Sequence, residues 1–84
     1  MIYTIDCACI AEKQQLHRAL QQTLLLPQWY GCNLDALYDC LTERRTDYTL
    51  ILKNWDPTRP WAAGFASVFA DAQADNPHLT VLFQ

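Results

Sequence analysis

The chain has 84 residues, half of them apolar, with a formal charge of −3 and a pI near 5.0. At that size it is one domain over residues 1–84, able to bury a core but with little stability to spare. The acidic balance argues against direct nucleic-acid binding, which needs a basic patch; the apolar content excludes disorder, and no apolar run is long enough to span a membrane.

Residues 1–6 (MIYTID) form a β-branched and aromatic run, which predicts a strand. Residues 7–10 lead to a helix over 12–25, with Leu16, Ala19, Leu20 and Leu24 on one face and Gln, Lys and Arg on the other. His17 is expected to be a partly covered surface residue of that helix. Leu26-Pro27 ends it, because the residue before a proline avoids helical backbone. Gly31 and Asn33 mark a turn, with Asn33 the N-cap of a second helix. There Leu34, Leu37, Tyr38 and Leu41 recur at i, i+3, i+4 and i+7 as one apolar face. This helix should end near residues 44–46, with Arg44 and Arg45 in its last turn against the negative helix end. Residues 48–53 (YTLILK) read as a strand covered on both faces. Two prolines make residues 54–60 a loop, and Pro60 suits the first turn of a third helix. Trp61, Phe65, Val68, Phe69 and Ala72 give that helix an apolar stripe for core packing, and Asn76-Pro77 stops it. Residues 78–83 (HLTVLF) are the last strand. Strands separated by helices run parallel with right-handed crossovers. The fold class is therefore α/β, a three-stranded parallel sheet flanked by helices.

Cys7, Cys9, Cys32 and Cys40 make no CxxC pair and no zinc-finger spacing. Free thiols, and an N-terminus without a basic segment and a long apolar one, fit the cytoplasm. Cys40 falls towards the buried side of its helix as a structural thiol. A metal site from Cys7, Cys9 and His17 is the alternative; no cofactor is implied.

Asp35, Asp39 and Glu43 fall at i, i+4 and i+8, a second face of the second helix, and no Lys or Arg stands three or four residues from any of them. Like charges four apart cost ~0.2–0.5 kcal/mol each in an isolated helix. Asp35 in the first turn is accounted for by the helix dipole; Asp39 and Glu43 are not. A solvated acidic face is one reading and a docking surface for cations is the other. Arg44 and Arg45 could blunt the second by neutralising the row. A paired-carboxylate enzyme site at Asp35 and Asp39 fits poorly, since outward-facing acids lack the desolvation that separates pKa values. With only Gly31 and Gly64, the chain has no glycine-rich phosphate loop. A binding module fits better than an enzyme: Trp29, Tyr30 and Tyr38 stand close to the charges, as aromatic anchors do at interfaces. At least one of Trp29 and Tyr30 should be buried, and Tyr38 should straddle core and surface.

The segment LPQWYGCNLDALYDCLT, residues 26–42, closely resembles the barstar family of ribonuclease inhibitors. It combines the proline, the Tyr-Gly-x-Asn turn, both aspartates and Asp-Cys-Leu-Thr without a break. Weaker similarity covers Leu16-His17, Val68-Phe69 and residues 79–83. The resemblance implies that the second helix and its preceding loop plug the active site of a small basic ribonuclease. Asp39 would stand for a substrate phosphate among cationic side chains, and Asp35 would pair with basic groups or amides at the rim. Trp29 stands where the family has an aromatic covering a catalytic histidine, and Tyr38 where it usually has Trp. Gly31 and Thr42 would offer backbone and hydroxyl contacts, and Asp71 a peripheral acidic contact. Asn33 and Glu43 complete the expected partner-binding set. Three departures are visible: aromatics exchanged in type at positions 29 and 38, Glu43-Arg44-Arg45 in place of a Gly-Trp region, and a shorter segment between Lys53 and Trp61. Such inhibitors also occur as immunity proteins beside secreted bacterial toxins. The alternative is the same fold binding another basic protein or a different type of nuclease.

Overall fold

The computed structural model describes residues 1–84 as β1 (Ile2–Asp6), a single 3-10 turn (Cys7–Cys9), α1 (Lys13–Leu24), α2 (Leu34–Glu43), β2 (Tyr48–Lys53), α3 (Ala62–Asp75) and β3 (Leu79–Phe83). The strands lie in the order β1-β2-β3 and both pairings are parallel, with Tyr3 opposite Leu50 and Leu50 opposite Val81. The α/β class and the parallel sheet read from the sequence are thus the observed ones. No helix is long and apolar enough to cross a membrane.

The sheet is covered on one face only. Ile5, Tyr48, Leu50, Leu52, Leu79 and Val81 point into the core with Leu16, Leu20, Leu24, Leu37, Leu41, Phe65 and Phe69 from the helices. Each large apolar side chain so enclosed contributes about 1.5–3 kcal/mol. The opposite face carries Ile2, Thr4, Thr49, Ile51, Thr80 and Leu82, with Ile2 71% and Leu82 43% exposed. The expectation that β2 is covered on both faces fails here: its near-continuous apolar run hides an alternation in which Thr49 and Ile51 are only half-buried. Threonines from all three strands share the bare face, and that pattern is visible only once the register is known.

His17 also departs from expectation. It is 2% exposed, its ring lies 4.7 Å from that of Phe65, and its Nδ1 bonds the Tyr30 hydroxyl. A partner thirteen residues along the chain satisfies it, so helical periodicity alone misplaces it. No three metal-ligating side chains converge anywhere in the chain, so the Cys7–Cys9–His17 alternative falls. Burial, reinforced by Lys13, holds the His17 pKa below its usual 6.5. The unfolded chain therefore binds this proton more readily than the folded one, and its contribution is present above pH ~6.5 and lost as pH falls through the folded value. Urea denaturation should show wild-type stability falling between pH 7 and 5.5 more steeply than that of His17→Gln. The depressed carboxyls of Asp6 and Asp56, ordinarily 3.8, act only in more acid solution. Parallel slopes for the two proteins would remove His17 from this account.

α2 ends at Glu43, earlier than expected, with Arg44 as an extended C-cap outside the last turn. The residue that closes this corner is Asn76, fully buried. Its Nδ2 donates to the carbonyls of Leu41 (2.9 Å) and Arg44 (3.0 Å), its Oδ1 accepts from the His78 amide (3.1 Å), and its own amide caps α3 on Ala72 (2.8 Å). The Tyr48 hydroxyl donates to the same Leu41 carbonyl at 2.6 Å. α3 begins at Ala62, not at Pro60: Asp56 first builds a tight turn, accepting from the Thr58 amide (2.9 Å) and hydroxyl (2.6 Å).

Candidate protein-binding face

The loop into α2 is built by its backbone. Leu25 closes α1 in left-handed geometry (φ 54°), and the Tyr30 amide donates to the Pro27 carbonyl at 2.9 Å. Tyr30 is drawn into the core by His17, which leaves its neighbour Trp29 61% exposed. The left-handed residue of the turn is Cys32 (φ 51°) and not Gly31. At Gly31 a Cβ would lie 2.9 Å from Asn33 Nδ2, so the capping side chain would have to shift to admit one. Asn33 caps α2 as expected, its Oδ1 accepting from the Ala36 amide at 2.8 Å.

On α2, Asp35, Asp39 and Glu43 are all exposed. The chain's two ion pairs, Arg59–Asp56 (3.6 Å) and His78–Asp47 (2.8 Å), involve none of them. Arg44 does not neutralise the row. Its guanidinium donates to the Leu24 carbonyl and to the Tyr3 hydroxyl (3.1 Å), and lies over the rings of Tyr3 (5.4 Å) and Tyr48 (5.2 Å). It is engaged by α1, β1 and β2. Arg45 is exposed and makes no ion pair.

Tyr38 joins α2 to α3. It is half-buried, as expected, and its hydroxyl donates to Asp75. That bond first, then loss of solvent and the nearby charges of Asp75, Asp71 and Asp39, push its pKa up. The acidic row of α2 is thus continued onto α3 by Asp71 and Asp75, both exposed. Asp75 was missed by the sequence reading. Its signal was the four-residue spacing from Asp71, the same spacing that marked the row on α2. Thr42 contributes less than its type suggests: its hydroxyl lies 2.9 Å from the Tyr38 carbonyl and 3.2 Å from that of Asp39 on its own helix.

The structure therefore gathers Asp35, Tyr38, Asp39, Glu43 and Asp71 on or beside one negative face, with Trp29 on the loop that leads into it. Over residues 1–84 the chain matches the family model described as barstar, the barnase inhibitor. It belongs to the barstar family. A curated relative from Bacillus subtilis (strain 168), named "Putative ribonuclease inhibitor YrdF", is 40% identical over 62 residues. The alignment takes in 73% of this chain and 59% of that relative, so the chain spans about three-fifths of the length of the protein it matches. Membership of the barstar family, whose description is that of an inhibitor, sets aside the enzyme reading of Asp35 and Asp39.

Proposed function

We propose that this barstar-family chain is an inhibitor of a small basic ribonuclease, acting as an immunity protein against a bacterial toxin from within the cytoplasm. α2 and the loop before it enter the nuclease active site, and Asp39 takes the place of a substrate phosphate. Trp29 covers an apolar or aromatic part of the site, and Asp35, Glu43 and Asp71 meet cations at its rim. The observation that carries this reading is the exposed row Asp35–Asp39–Glu43 with no counter-charge in its own chain. A helix that tolerates like-charge repulsion along one face, and forms no ion pair with either neighbouring arginine, is arranged for cations from another molecule.

The test is a titration of barnase-type ribonucleases, reading RNA cleavage against molar ratio. Activity should vanish at one inhibitor per enzyme, and the association rate should fall steeply with added salt, as charge-steered docking requires. Full cleavage at a molar excess across the panel would reject a ribonuclease target. Capture of a different basic nuclease by the immobilised chain would move the proposal to that enzyme.

A further inference from the structure

A cleft of about 460 Å³ lies behind the end of the loop before α2, where residues from the first turns of all three helices meet. That is within the range of small-molecule sites, about 300–1,000 Å³. Lys13 and Gln14 enter it from α1, Asn33 from the cap of α2, and Trp61 and Gly64 from the start of α3, while Leu34 and Phe65 supply apolar wall. Glu12 caps α1 and Asp35 stands in the first turn of α2, so the positive potential of the cleft comes from Lys13 and from the start of α3, which has neither a side-chain cap nor an acid in its first turn. Trp61 provides no side-chain cap for α3, and the amide of Gly64 has no acceptor in the protein. The indole of Trp61 is held as a wall by its Nε1 donating to the Ala11 carbonyl at 3.1 Å.

The decisive group is His17, which lines this cleft although 98% of it is buried. Tyr30, which does not line the cleft, engages Nδ1; Nε2 has no partner in the protein. No fully enclosed side-chain nitrogen or oxygen lacks a partner, so Nε2 is not fully enclosed and reaches open space. The tautomer follows from the same accounting. The buried Tyr30 hydroxyl has no acceptor other than His17, so it donates to Nδ1 and the ring proton sits on Nε2. An open N–H donor on an otherwise buried ring therefore lines the cleft together with the Lys13 ammonium and the unpaired amide of Gly64. Lys13 is the one formal charge in the lining.

We propose that this cleft binds a small carboxylate with an apolar body. One formal positive charge with surrounding N–H donors matches a monoanion, and Leu34, Trp61 and Phe65 match a short aliphatic or aromatic chain. The site needs nothing from the ribonuclease reading. Asn33 and Cys32 border it and also belong to the loop before α2, so an occupant would brace that loop from behind.

The experiment titrates isotope-labelled protein with 3-phenylpropionate and octanoate, and with their neutral primary amides, following the His17 ring and the Gly64 and Asn33 backbone signals. Both carboxylates should shift these signals with dissociation constants below about 1 mM, and the amides should bind at least about tenfold more weakly. Lys13 is exposed, so Lys13→Met should keep its thermal midpoint and lose about tenfold in carboxylate affinity. Equal binding of acids and amides, unchanged affinity in Lys13→Met, or shifts confined to other residues would each overturn the proposal.

Discussion

Asp39→Ala should weaken inhibition of a matched ribonuclease by a hundredfold to several thousandfold. Leaving the partner's cations desolvated without their anion costs about 3–5 kcal/mol, at ~1.4 kcal/mol per tenfold. The folded chain alone should respond in the opposite sense. Asp39 is exposed and its carboxylate makes no hydrogen bond or ion pair within the chain. Alanine there removes two like-charge pairs, with Asp35 and with Glu43, each worth ~0.2–0.5 kcal/mol, and improves helix propensity. Urea denaturation of the variant should give an equal or higher midpoint while its inhibition constant collapses. Inhibition that survives the substitution would remove Asp39 from the centre of the interface. Asp35→Ala and Glu43→Ala, nearer the two ends of the helix, should cost less than Asp39→Ala.

Asn76→Ala should cost about 3 kcal/mol of folding stability, a large share of the ~4–13 kcal/mol expected for a domain of this length. Three side-chain hydrogen bonds disappear together, to Leu41, Arg44 and His78. Each contributes about 0.5–1.5 kcal/mol, and a buried carbonyl left without a donor costs ~1–3 kcal/mol. Leu41 keeps the Tyr48 hydroxyl; the Arg44 carbonyl has no such second donor. Asn76→Asp should be at least as damaging, because it replaces the Nδ2 donor with an acceptor and puts a charge at a fully buried position. Equilibrium urea unfolding at neutral pH measures both. A loss under about 1 kcal/mol in Asn76→Ala would mean that the corner is held by packing alone. The effect should reach the binding face as well, since Asn76 ties the end of α2 to the junction of α3 and β3 and so helps fix Asp39 relative to Asp71.

What could be read from the sequence was what depends on neighbours a few residues away. The three strands, the Asn33 cap, the Leu26-Pro27 break and the acidic row are local patterns, and the structure places them as expected. The departures involve partners far along the chain. His17 is buried because Tyr30 meets it, Arg44 leaves its helix to reach Leu24 and Tyr3, and Asn76 serves carbonyls more than thirty residues earlier. The Asn-Pro step announced only a stop. Asp75 joined the acidic face once α2 and α3 were seen together around Tyr38. The binding roles expected of Asp35, Tyr38, Asp39 and Asp71 came from resemblance to a family, because an exposed carboxylate has no periodicity that separates docking from solvation.

The bare side of the sheet has a practical use. Its threonines look away from the helical layer, so a tether at Thr4 or Thr80 would stand on the far side of the core from Asp39. The chain could then be coupled to a sensor surface through that side with its acidic helix still turned to the solution.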